Sequence, residues 1–454
     1  MGFLDKMRRG KNLKEEEMRR TFMDRQQMMF NFECVGVGKA GIGFLDSLLG
    51  IDERWGVNQV YPCALASSRF DYEIVQYLNQ NEYLFPIGSG DREVRYTGVG
   101  GNQRLGQRIA MQDIHRIIAK IREDTEFYRR KIPLKAIVLV GSLGGGTGGG
   151  SIPFLAKALK LSFPNLLMIV VGILPDIREG NVYFVNASRS FRIMWNLMRK
   201  EPKYIDTLFL FENPEKRKGG QIRALQKINN EFATAFNLLF GSGYSPHTLD
   251  PQDRVMILNK GRKGISLMRY WKDTANVLSM RQDSDREVAK SDCELMMRGN
   301  LGLYPSGTVQ GAQFAAFQMR SEDKYIPRDL KNILTKLIED KLKGVEPEEI
   351  ITDLDKNVSA EESVVEMENP SIVQNTQFAE DIQYSQNTQR KPFVPIVKGG
   401  AWAIPKSRNI ELGTMIVGIE PQKYEYLNRI WDMYDVLYGD TFMQDLNQIY
   451  HWRL

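Results

Sequence analysis

Cysteine, histidine and long apolar runs are all scarce in this sequence, and each shortage removes a class of function. Three cysteines (Cys34, Cys63 and Cys293) in 454 residues give no disulfide framework and point to a reducing compartment. The three histidines (His115, His247 and His451) lie far apart, and none has a metal-ligand spacing to another histidine or a cysteine, which argues against a zinc site. The longest apolar run, Leu166 to Leu174, is about half what a membrane-spanning helix needs; its content suits a buried parallel strand. The N-terminus shows no signal-peptide hydrophobic region, and Lys6 stands where myristoylation of Gly2 needs Ser or Thr. A formal net charge of +5, from 61 basic and 56 acidic residues, is too mild to argue for nucleic acid. The sequence also lacks G-x-x-x-x-G-K-[ST], which disfavours a P-loop nucleotidase. The expectation is a soluble, cytoplasmic protein without a zinc site.

What is present is a globular composition, 42% apolar and 26% charged, in a chain long enough for about two domains. Residues 1–30 are polar and read as a helical extension, either a solvated leader or a helix that docks on a neighbouring subunit. From Phe32, strands alternate with helices: strands Phe32 to Val37, Tyr61 to Ala66, Ala136 to Val140, Leu166 to Ile173 and Thr207 to Phe211, with helices Leu105 to Glu123, Ile152 to Leu161 and Val182 to Met198. That alternation implies a doubly wound α/β sheet over residues 31–220, whose ligands belong at the carboxyl ends of the strands. A long helix is expected over Gln221 to Phe240, within a 221–241 connector. A second α+β domain should fill 242–420, with strands Gly264 to Tyr270, Val309 to Met319 and Thr414 to Ile419 and helices Asp285 to Met297 and Asp329 to Leu342. Residues 345–389, acidic and polar with Lys356 their only basic residue, read as an insertion or linker. Helices, beginning with Gln422 to Leu437, should close the chain over 421–454.

The strongest signal is Gly144-Gly145-Gly146-Thr147-Gly148-Gly149-Gly150, directly after a strand and before a helix. Without a Cβ, such a loop lets backbone N–H groups approach a phosphate closely, and the helix N-terminus behind it adds partial positive charge. Thr147 supplies a hydroxyl at its centre. A second loop, Gly36-Val37-Gly38-Lys39-Ala40-Gly41, fits G-x-G-x-x-G after a strand, a pattern that taken alone also suits a nicotinamide or flavin site. That alternative needs an acid at the end of the second strand, where Ser67 and Ser68 stand instead.

Gly144 to Gly150 resembles the tubulin signature GGGTG[ST]G, and from Phe32 onward nearly the whole chain is similar to the tubulin/FtsZ superfamily. The resemblance implies that Gly38, Lys39, Ala40 and Gly41 form the first nucleotide loop, that Gly100, Gly101 and Asn102 meet a γ-phosphate, and that Gly144, Gly145, Gly146, Thr147 and Gly148 hold the phosphates. It further assigns Glu179, in Pro175-Asp176-Ile177-Arg178-Glu179-Gly180, to the ribose, and Asn213 with Asn229 or Asn230 to the guanine. The expected ligands are GTP/GDP with Mg²⁺. Asp250 and Asp253 reproduce the pair of acids, three apart, that in FtsZ-like proteins enters the nucleotide site of the next subunit, where a carboxylate can orient the attacking water. Asp250 followed by Pro251 equally fits a helix N-cap, and the two roles are compatible.

Three departures accompany the resemblance. Ser67-Ser68-Arg69 replaces the family's Asn-Thr-Asp, which bears on Mg²⁺ coordination; Tyr183 replaces an Arg; and the acidic insertion is atypical. Asn186-Ala187, Pro392-Phe393-Val394-Pro395 and the strand-then-helix ending Met415 to Leu437 look more like the TubZ-type plasmid and phage partition homologues. The resemblance therefore implies a GTPase that forms a head-to-tail homopolymer for DNA, plasmid or phage positioning, with an adaptor or DNA-bound partner. A cell-division or cell-shape protein, or a nucleotide-bound scaffold with little hydrolysis, are the alternatives.

Overall fold

The computed structural model describes residues 30–452 except 56–58, 74, 130–133, 177–178, 213–220, 242–248, 262–263, 275–299, 302, 305–307, 322–329, 345–394, 404–408 and 431–441. The expected N-terminal helix up to residue 29, the helix over 285–297, the acidic insertion, Asn213 and Pro392 to Val394 lie outside the described residues.

Ten strands form one sheet in the order β3-β2-β1-β4-β5-β6-β7-β10-β8-β9. The first six are β1 (Phe32–Val37), β2 (Val60–Ala66), β3 (Leu84–Pro86), β4 (Ala136–Ser142), β5 (Leu167–Leu174) and β6 (Thr207–Glu212), and all pair in parallel. The remainder are β7 (Ile265–Thr274), β8 (Phe314–Ser321), β9 (Ile396–Ala403) and β10 (Asn409–Ile419). There β10 runs antiparallel to both β7 and β8. One register pair, Phe209 with Ser266, joins the two halves.

The helices explain why the parallel strands read as continuous apolar runs: both faces of the sheet are covered. They are α1 (Gly38–Trp55), the short α2 (Gln80–Tyr83), α3 (Gln103–Arg129), α4 (Gly146–Ser162), α5 (Asn181–Arg199), α6 (Gln221–Phe240), α7 (Pro251–Asn259), α8 (Leu330–Lys343) and α9 (Phe442–His451). Alternate residues of β1 enter opposite cores. Val35 and Val37 join a cluster with Ile109 of α3, Phe154 of α4, Phe191 of α5 and Ile449 of α9. Phe32 and Cys34 join one with Phe44 of α1, Phe236 of α6 and Ile257 of α7. The period-two alternation of a strand produces this division.

The long helix α6 occupies the residues its sequence pattern predicts. Its Phe236 and Phe240 rings pack 5.2 Å from Phe32 and Phe30 respectively, contacts each worth about 1 kcal/mol beyond area burial. Helix α4 differs from expectation: it starts at Gly146, inside the glycine run, and not at Ile152. Glycine has a poor intrinsic preference for helix, but α3 crosses α4 so closely that a Cβ on Gly106 would lie 2.2 Å from the Gly146 carbonyl oxygen. Packing overrides propensity there, and only small residues fit the crossing.

Helix α9, the last element, docks on the outer side of α4. Buried Lys157 donates to the carbonyls of Ile449, Tyr450 and Trp452 at 2.8, 2.6 and 2.8 Å. A cation on the final carbonyls of a helix satisfies acceptors that have no partner within it and complements the helix dipole.

Candidate functional site

The glycine-rich segments foreseen from sequence converge at the carboxyl ends of β1, β2 and β4. Gly38 starts α1 directly after β1 and takes a left-handed φ of +67°, a conformation that favours glycine. A Cβ there would lie 3.2 Å from that of Thr147, so the first loop touches the glycine run. Gly100 and Gly101 (φ +54° and +82°) lead into α3, which Asn102 caps by accepting the Leu105 N–H at 3.1 Å. Gly146 packs on this loop, within 2.8 Å of the Asn102 nitrogen when a Cβ is placed on it.

Helix α4 begins with no side-chain cap on its N-terminus: Gly145 precedes it and offers no oxygen. A first turn of N–H donors without a side-chain cap, at the positive end of the helix dipole, can receive an anion. The run itself divides by function. Cβ atoms at Gly149 and Gly150 would collide with Gln103 at 2.1 and 2.2 Å, whereas one at Gly145 would meet nothing nearer than 3.7 Å. The protein's own packing accounts for Gly149 and Gly150. It does not account for Gly145, whose missing side chain leaves room for a ligand.

Around this cradle the structure assembles groups that sequence reasoning did not assign. The Ser67 hydroxyl lies 2.7 Å from the Thr147 hydroxyl. Ser67 belongs to a loop stapled by Asp71, whose carboxylate accepts the Ser67 and Ser68 N–H groups at 3.2 Å each. Burial pushes the Asp71 carboxyl up from its ordinary value, while those N–H bonds and the charge of Lys39 pull the other way. Gln103, buried at the start of α3, donates to the Leu143 carbonyl at 2.7 Å and to Ser190 at 2.9 Å. Arg189 of α5 reaches Gln107 at 3.0 Å and Asp445 of α9 at 2.8 Å, tying the C-terminal helix to the helices behind the loops. The helix itself was expected over Val182 to Met198, but nothing in the sequence assigned Arg189 or Ser190 to this network; buried hydrogen-bond networks have no sequence periodicity.

The remaining expected residues fall as follows. Lys39 is exposed and Ala40 half-buried at the start of α1, while Gly41 is buried, its Cα so close to β4 that a Cβ would lie 2.1 Å from the Val140 oxygen. Gly144 backs onto Tyr183, and Gly148 onto Ser142. Glu179 accepts the Asp176 N–H at 3.3 Å. Asn229 is half-buried with its amide beside Gly43 of α1, 2.9 Å from a Cβ placed there. Asn230 is exposed. Of this pair, Asn229 is the one brought to the first nucleotide loop's helix.

Asp250 and Asp253 are not brought to the cradle. Asp250 is the N-cap of α7, accepting the Gln252 N–H at 2.6 Å, and Asp253 pairs with Lys398 at 3.1 Å. Helix α7 sits at the other end of the sheet: Gln252, Val255 and Asn259 line a cavity with Lys135, Leu167 and Asp206, at the starts of β4, β5 and β6. Buried Arg254 anchors it by donating to the Phe240 carbonyl of α6 at 2.9 Å; burial lowers the guanidinium's pKa to about 9, opposed by the charge of Asp250. Among the described residues no cluster of three His, Cys, Asp or Glu could hold a metal ion, and no helix is long and apolar enough to cross a membrane.

Residues 32–215 match the profile of the Tubulin/FtsZ family, GTPase domain. The chain is 31% identical over 245 residues to the tubulin-like protein CetZ4 of Haloferax volcanii, covering 52% of this chain and 58% of that protein. It spans between 50% and 62% of the length of the five CetZ proteins it matches from that organism. Among solved structures, it superposes on a GTPγS-bound protofilament of Haloferax volcanii CetZ2 with a TM-score of 0.64 at 19% identity, covering 89% of this chain and 99% of that one. A GTPγS-form protofilament of TubZ from Bacillus thuringiensis serovar israelensis gives 0.59 at 11% identity, with 94% and 96% covered. These two likenesses are of fold.

Proposed function

We propose that this chain, whose residues 32–215 match the Tubulin/FtsZ family GTPase domain, binds GTP at the glycine-loop cradle, assembles head to tail, and hydrolyses GTP at the junction between subunits. One observation carries this reading. The uncapped N-terminus of α4 and the acids of α7 lie at opposite ends of one sheet. No chain can present its own Asp250 to its own nucleotide, but a second copy stacked end to end can.

In this reading the N–H groups of the α4 first turn and Gly145 hold the phosphates, Thr147 contributes its hydroxyl, and Asn229 lies on the guanine side. Asp250 or Asp253 of the adjoining subunit orients the attacking water. Such phosphoryl transfer rests on positioning and charge stabilisation more than on covalent help. Mg²⁺ takes few protein carboxylates when it can lean on phosphate oxygens. The Ser67 and Thr147 hydroxyls fit that manner of binding, and Mg²⁺ would neutralise charge developing on the phosphates.

The protein that gives the sequence match is a CetZ, whereas the TubZ likeness, at 11% identity, is one of fold. Plasmid or phage cargo was expected from TubZ-type features alone, so only the filament and its GTPase are proposed. The test is GTP turnover against protein concentration with parallel light scattering. A rate per subunit that climbs with scattering above a threshold supports the shared site. A concentration-independent rate near zero with GTP still bound replaces it with a static scaffold.

A further inference from the structure

We infer that Asn186 is a positioning residue that sets this site's preference for a nucleoside triphosphate over the diphosphate; the inference rests on the guanine-nucleotide reading of the cradle. Asn186 lies in the second turn of α5, and its amide nitrogen donates to two carbonyls, Gly101 at 2.9 Å and Gly144 at 3.0 Å. The first belongs to the loop before α3, the second to the glycine run. One amide nitrogen has two protons, and both are used. The reversed amide would set oxygen against two carbonyl oxygens, so the contacts themselves fix its orientation.

The consequences run through backbone geometry. A trans peptide carries its N–H opposite its C=O, so drawing the Gly144 carbonyl toward α5 turns the Gly145 N–H away from α5. Asn186 is itself held: its backbone carbonyl accepts the Ser190 hydroxyl at 3.0 Å, and that hydroxyl is 2.8 Å from the Gly149 carbonyl. The loop it holds has little else on one side. Cβ atoms placed at Gly100 and Gly101 would meet nothing within 4 Å, and both residues are left-handed glycines, a backbone with many alternatives open to it. The Asn186 amide therefore clamps the loop at 100–101 to a rigid helix and to the glycine run at once. A terminal phosphate that reaches both segments gains from that alignment; a ligand that ends one phosphate short touches the glycine run only.

The experiment measures GTPγS and GDP affinities by titration calorimetry on the full chain, kept below its assembly concentration, for the wild type, Asn186→Ala, Asn186→Asp and the control Asn196→Ala. Losing two hydrogen bonds should cost Asn186→Ala about ten-fold in GTPγS affinity while GDP affinity stays within about two-fold. Asn186→Asp, matched in shape but without the donor, should show the same bias, which carries the comparison if the alanine variant does not fold. Asn196→Ala, which removes a side-chain bond to the Arg192 carbonyl farther along the same helix, should leave the ratio unchanged. An equal loss for both nucleotides, or an unchanged ratio, overturns the role assigned to Asn186 and leaves the nucleotide site standing. A wild type that binds neither nucleotide overturns the site and the inference together.

Discussion

The hydroxyls of Ser67 and Thr147 meet at 2.7 Å, bridging the end of β2 to the first turn of α4. Thr147 sits at the centre of the glycine run, and the bond to Ser67 restricts the rotation of its hydroxyl. Ser67→Ala should therefore weaken GTP binding by about three- to ten-fold, the scale of one hydrogen bond, with little change in melting temperature because Asp71 still staples the loop. Thr147→Ala should weaken it further. Titration with a fluorescent GTP analogue checks both, and unchanged affinity in Ser67→Ala would remove the pair from the site.

The glycine run offers a sharper contrast. Gly145→Ala should fold normally, since its φ of −76° is ordinary and a Cβ meets nothing nearer than 3.7 Å, yet nucleotide affinity should drop at least ten-fold as the methyl enters the phosphate cradle. Gly149→Ala should fail earlier. Its Cβ would lie 2.1 Å from the Gln103 amide and 2.2 Å from the Leu143 carbonyl, an overlap that backbone must move to relieve. Soluble yield and thermal unfolding separate the two; a Gly145→Ala chain that binds GTP normally would place the phosphates elsewhere.

Gly145 and Gly149 look alike in sequence and differ only in three dimensions, and the same division runs through the fold. Strands β1, β4, β5 and β6 were legible to within two residues because a short continuous apolar run between glycine turns is the pattern of a strand buried on both faces. Helix α6 was legible from its spacing of apolar residues. The start of α4 was not, because its first turn is built from glycines that only a close helix crossing justifies. Strand β9, Ile396–Ala403, was missed because its two adjacent glycines and early lysine blur any alternation. At the site, Gly145 and Thr147 announced themselves by composition. Ser67, Gln103 and Asn186 did not, since each acts through a partner between 40 and 85 residues away in the chain.

A pH dependence follows from Asp52, at the far end of α1 from the cradle. Its carboxylate accepts the Gln59 and Val60 N–H groups at 2.8 and 2.9 Å. Burial nonetheless dominates and pushes its pKa from 3.8 to about 7. A raised acid pKa means the folded state holds the proton more tightly than the unfolded chain. The stability this contributes is complete below pH 3.8 and is lost as pH rises to about 7. Asp52→Asn, which cannot ionise and keeps one acceptor oxygen, should flatten that loss. Melting temperatures at pH 5 and pH 8 are the check: a wild type and variant that shift in parallel would show that Asp52 does not titrate in this range.

Asp250 is both the N-cap of α7 and the proposed water-orienting acid, and one substitution separates the roles. Asparagine caps a helix about as well as aspartate, so Asp250→Asn should keep the Gln252 contact, the seating of α7 on Phe240 through Arg254, and assembly with GTP. It lacks the negative charge that polarises water. Turnover should then fall by two orders of magnitude or more, on the scale of removing a general base, and filaments should persist long after wild-type ones have consumed their nucleotide. Asp250→Ala should combine the same loss of turnover with about 1 kcal/mol of lost stability from the missing cap. Phosphate release and sedimentation, followed together, distinguish the outcomes. If Asp250→Asn turned over at the wild-type rate while Asp250→Ala did not, capping alone would be the residue's contribution, and Asp253 would inherit the catalytic assignment.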